Sequence, residues 1–223
     1  MMSISLKTLA RTALLQAGTL VVGVLALGAL AGEGAAIAQS SPRPPGALPG
    51  RTMDIGDQPG VVASSAEEAE LDPIYRHQPV YFRTTEAPGT IIISTNDRFL
   101  YLVEGNNRAM RYGIGVGRDG FTWQGRVSVV RKAEWPDWTP PAEMIQRQPY
   151  LPRFMAGGPG NPMGARALYL GGTVYRIHGT NQPQTIGYAV SSGCFRLTNT
   201  EIVDLYGRVP VGTKVIVRQA VQL

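Results

Sequence analysis

From Thr90 onward, short hydrophobic runs alternate with clusters of turn-forming residues. Thr90 to Ser94 and Phe99 to Val103 are rich in β-branched and aromatic residues, and Thr95-Asn96-Asp97 between them favours a hairpin. Their number and spacing predict a mainly β domain of short strands. Later runs of the same character are Met110 to Val116, Val127 to Val130, Ala167 to Leu170, Thr173 to Ile177 and Thr213 to Arg218.

Two short helices are predicted within this strand-rich region. Pro140 to Arg147 follows Thr139, a residue type that caps helices, and proline is well tolerated in the first helical turn. Thr198-Asn199-Thr200-Glu201 has the spacing of a capping box and predicts a second helix that ends near Tyr206.

A long segment from Lys132 to Ala165 carries Trp135, Trp138 and seven prolines. Ordered loops of this length in compact domains are usually functional lids or binding loops. The tryptophans either pin the loop to the sheet or form a wall for a substrate, and the two roles are compatible.

The first 38 residues have the features of an export signal. Lys7 and Arg11 precede the apolar run Thr19 to Ala31, and the small-residue triplet Ala36-Ile37-Ala38 follows. We expect cleavage after Ala38. The alternative is an uncleaved N-terminal anchor in the inner membrane, although the apolar run is slightly short for a spanning helix.

Residues 39–89 are rich in Pro, Gly, Ser and Ala, which predicts a flexible tether that leads into a domain of residues 90–220. Pro79 to Arg83 has the pattern of a short strand. His77 lies beside it, with no nucleophile nearby in the sequence, and we expect it at the surface.

Length, charge and motif content limit the classes of function. A chain of 223 residues with 43% hydrophobic content can bury one substantial core. The formal net charge is +5, and removing residues 1–38, which hold two basic residues and one acidic residue, leaves 19 Lys and Arg against 15 Asp and Glu, or +4. This mild positive charge suits an acidic polymer or a carboxylate-bearing substrate. The sequence has no basic stripe with interleaved aromatic residues, so we expect no nucleic-acid partner.

No cofactor or metal site is expected. Gly115 to Gly120 fits G-x-G-x-x-G, but a strand pattern follows it where a dinucleotide site requires a helix. No metal-ligand cluster occurs in the sequence, and a single cysteine and histidine cannot make a structural zinc site.

Cys194 is the only cysteine, and His178 is one of only two histidines. An unpaired cysteine is unusual in an exported protein, because oxidising compartments tend to pair thiols. An imidazole within hydrogen-bond reach favours the thiolate, which is the nucleophilic form. We therefore take Cys194 as a candidate nucleophile and His178 as its base. The alternative is that both are packed structural residues.

The residues around this pair support the catalytic hypothesis. Ser191-Ser192-Gly193 leaves the backbone beside the sulfur unhindered, and the consecutive N–H groups of Ser192, Gly193 and Cys194 could form an oxyanion hole. His178 closes a predicted strand, and Gly179 after it allows a sharp exit and offers a main-chain carbonyl to orient the imidazole.

The strings IHGTNQP, SSGCFRL and VPVGTKVIV, in this order, resemble the C-terminal half of an L,D-transpeptidase catalytic domain of the YkuD type. The resemblance extends back through RFLYLVEG, YGIGVGRDGFTW and RKAEWPDWTPP, and it covers about Thr90 to Gln219. The family usually has Ser-His-Gly-Cys, where this chain has Ser191-Ser192-Gly193-Cys194. The upstream histidine of the family, which is assigned as the base, matches His178.

The resemblance implies a sandwich-like or barrel-like sheet and a transferase of the periplasmic cell wall. Cys194 would attack the carbonyl between an L-centre and a D-residue of a peptidoglycan stem peptide and form a thioester. A second amine, on another stem peptide or on an outer-membrane protein, would then accept the acyl group. Arg196 would bind a substrate carboxylate; the alternative is a structural pair with Asp204 or a backbone carbonyl. We expect a monomer.

Three other functions remain open. Water could attack the same thioester, which would make the protein an L,D-carboxypeptidase or a cross-link hydrolase. A non-catalytic wall-binding module is conceivable because Ser192 replaces the usual histidine. A sortase-like transpeptidase would also use cysteine, histidine and arginine, but the order of the predicted elements and the Gly-Cys-Phe-Arg context favour the first hypothesis.

Overall fold

The computed structural model describes residues 70–220. The predicted signal peptide, the predicted cleavage site and residues 39–69 of the predicted tether lie outside this part of the chain. Eleven strands and two α-helices make up the regular structure of the described residues, together with short 3-10 turns at Pro73–Tyr75 and Pro183–Thr185. The strands are β1 Gln78–Tyr81, β2 Ile91–Ser94, β3 Phe99–Gly105, β4 Arg108–Gly113, β5 Val116–Gly117, β6 Gly125–Glu134, β7 Arg166–Leu170, β8 Arg176–His178, β9 Ala189–Ser191, β10 Phe195–Arg196 and β11 Lys214–Arg218; the helices are α1 Ala142–Arg147 and α2 Asn199–Arg208. The prediction of a mainly β domain with one or two short helices is confirmed.

Nine of the strands form one mixed sheet in the order β1-β4-β3-β2-β11-β6-β7-β8-β10, and β5 pairs with β9 in a separate parallel ribbon. The long strand β6 joins the two halves of the large sheet. Its first residues pair with β11, and its later residues pair with β7 after a register shift between Val129 and Arg131. The closing strand β11 runs parallel to β2, so the C-terminal end of the domain lies beside its first hydrophobic strand.

Both faces of the sheet around β2 are covered. Ile91 and Ile93 belong to the main core, whereas Ile92, which points to the opposite face because strand side chains alternate, belongs to a smaller cluster with Phe82 and Tyr101. All three isoleucines are fully buried. A strand that is hydrophobic at every position is typical of a strand buried on both faces, which explains why Ile91 to Ile93 shows no alternation in the sequence.

The main core extends from this strand to the second half of the domain. It includes Leu168 of β7, Ile177 of β8 and Phe195 of β10, and α2 contributes Ile202 and Leu205. The helix begins as predicted, because the Thr198 hydroxyl accepts a hydrogen bond from the Glu201 N–H at 3.2 Å. It ends at Arg208, two residues later than expected.

The segment between β6 and β7 is ordered by its own small core and by one buried amide. Trp138, Met144 and Met163 pack with Ala167 of β7. The Asn161 side chain donates to the carbonyls of Pro136, Met155 and Ala156 at 3.0–3.2 Å and accepts from the Met163 N–H at 2.8 Å. Because these bonds connect both ends of the segment, they fix its path over the sheet.

The structure corrects two boundaries. The domain begins earlier than the predicted residue 90, since β1 pairs with β4 and Phe82 is 1% exposed. Residues 78–89 therefore belong to the folded domain, and the strand predicted beside His77 is present.

Helix α1 starts after Pro141 without a side-chain cap, so the predicted cap at Thr139 is wrong. A proline can precede a helix because the first helical N–H groups need no intrahelical acceptor.

Within residues 70–220, no helix is long and apolar enough to cross a membrane.

Candidate active site

The pairing of β8 with β10 places His178 and Arg196 side by side. These short strands are parallel, with Phe195 opposite Ile177 and Arg196 opposite His178. Phe195 and Ile177 point into the main core. Because side chains alternate along a strand, His178 and Arg196 face the other side of the sheet, toward the segment between β6 and β7.

Cys194 directly precedes β10 and opens onto the same side. It is half-buried and forms no disulfide. The thiol and the imidazole line one cleft, which the structure thus assembles from the two residues that the sequence singled out. The other lining residues come from the β6–β7 segment, from β8 and the chain just before it, from residues 191–194, called the cysteine loop below, and from β10: Trp138, Pro141, Met144, Met163, Val174, Tyr175, Arg176, Ser191, Ser192 and Arg196.

The orientation of the His178 ring is set by a backbone carbonyl. Nδ1 lies 2.6 Å from the Gly179 carbonyl oxygen, and a carbonyl can only accept a hydrogen bond. The proton of a neutral imidazole is therefore on Nδ1, which leaves Nε2 able to accept a proton. This is the role that the sequence suggested for Gly179.

Burial keeps the imidazole neutral. His178 is 3% exposed, and desolvation, followed by the positive charge of Arg196, lowers its pKa from 6.5 to about 3. Hydrogen bonds to the backbone of Gly179 and Met163 oppose this shift without cancelling it. At neutral pH, His178 is an uncharged acceptor in the cleft that Cys194 also lines.

The loop before Cys194 is folded around the Ser191 hydroxyl. Ser191 Oγ donates to the Cys194 carbonyl at 2.6 Å and accepts from the Gly193 N–H at 3.1 Å. Of the three N–H groups predicted for an oxyanion hole, that of Gly193 is therefore already donated within the loop. Gly193 itself has φ +107°, a conformation that side chains rarely allow.

Two aromatic residues that the sequence analysis did not assign to the site hold this loop in place. Trp123 donates its indole N–H to the Gly193 carbonyl at 3.0 Å and stacks on Tyr175 at a centroid distance of 4.9 Å. A Cβ on Gly193 would lie 2.4 Å from the Tyr175 ring. The only sign of this role in the sequence was the position of Trp123 after a glycine-rich turn. Nothing in the sequence indicated that this turn lies against Gly193.

Trp138 pins the loop as one of the two expectations had it, since it is 5% exposed and packs in the small core of the β6–β7 segment. It also lines the cleft. Trp135 is 41% exposed and is not among the residues that line the cleft. Its backbone has φ +41° and lies against Gly157, so its position is tied to the path of the loop.

Arg196 is 1% exposed and lines the cleft. Its backbone exchanges two hydrogen bonds of 2.9 Å with Gly115. The alternative partner Asp204 accepts instead from the Tyr112 hydroxyl at 2.6 Å and from Arg208 at 2.9 Å. Arg196 lies opposite His178 in the pairing of β8 with β10, and its positive charge acts on the imidazole.

Ser192, which replaces the usual histidine of the resembled family, contacts two arginines. Its hydroxyl oxygen lies 3.4 Å from Arg118 Nη1 and 3.4 Å from Arg147 Nη2. Neither contact was foreseen, because Arg118 and Arg147 come from a distant turn and from α1.

The second histidine is remote from this cleft. His77 is exposed, and its Nδ1 lies 2.8 Å from the buried carboxylate of Glu201 on α2. It thus connects the start of the domain to the helix. Among residues 70–220, no group of three histidine, cysteine or acidic side chains is placed to hold a metal ion.

The protein is a mainly β domain with one cleft that is lined by both the Cys194 thiol and a buried, neutral imidazole. The family model of the L,D-transpeptidase catalytic domain, YkuD, matches residues 88–217. The chain belongs to this family.

The similar proteins include two from Escherichia coli K12. A probable L,D-transpeptidase YbiS is 40% identical over 147 residues, which are 62% of this chain and 47% of that protein. A probable L,D-transpeptidase ErfK/SrfK is 40% identical over 146 residues, 62% of this chain and 46% of that protein. The chain thus spans about half the length of these curated relatives.

A solved structure from Brucella melitensis, described as a probable carnitine operon oxidoreductase, is 48% identical and covers 70% of this chain and 100% of its own, with a TM-score of 0.45. Its description applies to that protein.

Proposed function

We propose that the protein is a periplasmic L,D-transpeptidase that acts on peptidoglycan stem peptides through a thioester on Cys194. The observation that carries the proposal is the cleft that both Cys194 and His178 line, with the imidazole proton held on Nδ1 by the Gly179 carbonyl. Nε2 is thereby the acceptor for the thiol proton as the sulfur attacks the carbonyl. Family membership supports the same reaction class.

In the proposed acylation, Cys194 Sγ bonds to the carbonyl carbon between the L-centre and the terminal D-residue. His178 takes the thiol proton and delivers it to the departing amine. In the second step, the amine of an acceptor attacks the thioester, loses its proton to His178 and restores the thiol. The acceptor is a second stem peptide or a protein of the outer membrane.

Two of the three N–H groups that the sequence suggested for the oxyanion hole remain as proposed donors. Since the Gly193 N–H is donated to Ser191 Oγ, we keep the backbone N–H groups of Ser192 and Cys194 as the proposed donors to the oxyanion. Gly193 contributes its positive-φ conformation, which turns the chain at this point. We propose that the buried Arg196 holds a carboxylate on the acyl side of the donor peptide, inside the cleft.

Product analysis separates transpeptidation from its rivals. The purified domain is incubated with tetrapeptide muropeptides, with and without an amine acceptor, and the products are identified by mass. A transpeptidase releases the terminal D-residue and forms a cross-linked product that depends on the acceptor. A hydrolase releases the D-residue with water alone, and a binding module releases nothing; either result contradicts the proposal.

A further inference from the structure

Two arginines converge on the Ser192 hydroxyl at the edge of the cleft. Arg118 belongs to the glycine-rich turn after β5, and Arg147 is the last residue of α1. Both guanidinium groups also lie over the same aromatic ring, with their Cζ atoms 4.3 Å and 5.0 Å from the centroid of Phe121. Phe121 thus provides a platform that brings two positive charges together.

Several contacts hold this arrangement next to the nucleophile. The Arg118 backbone N–H donates to the Ser191 carbonyl at 3.0 Å, which fixes the turn against the cysteine loop. The distances of 3.4 Å from Nη1 and Nη2 to Ser192 Oγ are long for hydrogen bonds. The exposed Arg147 guanidinium is therefore placed beside the hydroxyl but can turn toward a stronger acceptor.

The chemistry of the cluster selects an anion. Guanidinium groups only donate, and the Ser192 hydroxyl, whose oxygen faces both of them, has its own proton to donate outward. Two positive charges that lie near one oxygen favour an anion at that place. No acidic side chain among residues 70–220 forms an ion pair with Arg147, which is exposed. A planar carboxylate matches the paired donors of a guanidinium.

The position of the cluster indicates which carboxylate it binds. Ser192 and Cys194 are two residues apart, so their Cα atoms are separated by roughly 7 Å at most. In a peptide, the terminal carboxylate carbon is three bonds, and about 4 Å or less, from the preceding carbonyl carbon. A carbonyl in contact with Cys194 thus places the carboxylate of the leaving residue within reach of Ser192. His178 and Arg196 are buried deeper, at 3% and 1% exposure, which leaves this cluster at the mouth.

We propose that Arg118, Arg147 and the Ser192 hydroxyl form a carboxylate-binding subsite at the mouth of the cleft, which holds the terminal carboxylate of the leaving D-residue. The assignment to that residue rests on the proposed transpeptidase function. The presence of a carboxylate subsite beside Cys194 rests only on the geometry of the two arginines and the thiol.

The first experiment uses two small alkylating reagents of nearly the same shape, iodoacetate and iodoacetamide, of which only the first carries a carboxylate. The ratio of their rates on Cys194 is measured at fixed pH and ionic strength. Replacing both arginines, Arg118→Gln with Arg147→Gln, should lower the iodoacetate-to-iodoacetamide ratio about tenfold, because charge-assisted bonds to the carboxylate are lost. The iodoacetamide rate should stay near that of the wild type.

Matched variants control for charge and for damage to the fold. Arg153→Gln removes an exposed positive charge from the same β6–β7 segment and should leave the ratio unchanged. Arg147→Gln alone alters an exposed side chain, so it remains informative even where Arg118→Gln disturbs the turn, and Arg147→Lys should restore part of the ratio. An unchanged ratio in the double variant, or an equal fall in Arg153→Gln, overturns the subsite.

A second experiment tests the ligand with two synthetic tetrapeptide donors that differ only in a terminal carboxylate or carboxamide. Arg147→Gln should slow acylation of Cys194 by the carboxylate donor about fivefold and leave the amide donor unaffected. Equal slowing of both donors overturns the assignment to the terminal carboxylate. If neither peptide acylates wild-type Cys194 while the iodoacetate ratio responds as expected, the proposed transpeptidase function fails and the carboxylate subsite stands.

Discussion

Burial and the charge of Arg196 keep the His178 ring neutral and make the folded protein less stable in acid than it is at neutral pH. Both disfavour the imidazolium, which lowers the pKa of His178 to about 3. Above that value the ring is neutral, with Nε2 unprotonated. The same shift means that the folded protein resists a proton that the unfolded chain binds readily.

The free energy of unfolding should therefore fall in acid because of His178. At pH values between about 3, the pKa of His178 in the folded protein, and 6.5, its ordinary pKa, the unfolded state binds one proton more than the folded state. The contribution is complete above pH 6.5 and is lost progressively as the pH falls toward 3. At pH 4.5 the loss should be roughly 3 kcal/mol, at 1.36 kcal/mol for each pKa unit.

The measurement is urea unfolding of the wild type and of His178→Asn at pH 7.5 and pH 4.5. Asparagine keeps a donor for the Gly179 carbonyl but does not titrate. Acidification should lower the free energy of unfolding less in the variant than in the wild type. An equal loss in both proteins would contradict the assignment of a buried neutral imidazole.

The identity of the base is tested by alkylation kinetics. If His178 accepts the proton of Cys194, the wild-type thiol should react with iodoacetamide at pH 6 to 7 faster than the thiol of His178→Ala, by about 10²-fold, the lower end of a general base contribution. His77→Ala is the matched control, because His77 pairs with Glu201 away from the cleft. Wild-type rates in His178→Ala, with a slow His77→Ala, would show that the base is another residue.

At the scale of elements, the cysteine loop depends on a glycine whose space is occupied by a ring. Gly193→Ala must place a methyl group 2.4 Å from Tyr175, in addition to adopting φ +107°. Gly212 has a similar φ of +92°, with no atom within 4 Å of an added Cβ. Comparing the two substitutions separates the cost of the backbone conformation from the cost of the clash.

We expect Gly212→Ala to lower stability by about 1 kcal/mol and to keep the alkylation rate of Cys194, since only the backbone conformation is disfavoured. Gly193→Ala should lose most of that reactivity, because the Trp123–Tyr175 stack has to move. The measurements are thermal unfolding and the iodoacetamide rate. Equal behaviour of the two variants would show that the ring contact does not set the loop geometry.

The sequence predicted elements where the signal is local and missed contacts that are made between distant segments. The Thr198 cap depends on residues three apart, and both its position and its helix were predicted. Trp123 and Gly193 are 70 residues apart, and so are unrelated in any local pattern. Cys194 and His178 could be selected because their residue types are rare in this chain and chemically reactive. Arg118 and Arg147 could not, because only the contacts between distant segments bring them to Ser192.

For the whole molecule, the family and the mainly β class could be predicted because several motifs occur in one order along the chain. The early start of the domain could not, because β1 is a short strand with proline and polar residues, and it is stabilised by pairing with β4. Composition alone does not distinguish such a strand from a tether.

Export is the prediction that concerns the entire chain. The basic start, the apolar run and the triplet before Gln39 predict a mature protein that begins at Gln39. N-terminal sequencing of the protein recovered from cells tests it. An intact N-terminus in the membrane fraction would instead support the anchor.

The central claim is that Cys194 is the acyl-forming nucleophile. Its most direct test is intact-mass spectrometry after incubation with a carbapenem, a β-lactam class that acylates the resembled family. The wild type should gain the mass of one adduct, and Cys194→Ala should gain none while keeping the thermal transition of the wild type. An undiminished adduct on Cys194→Ala would contradict the account.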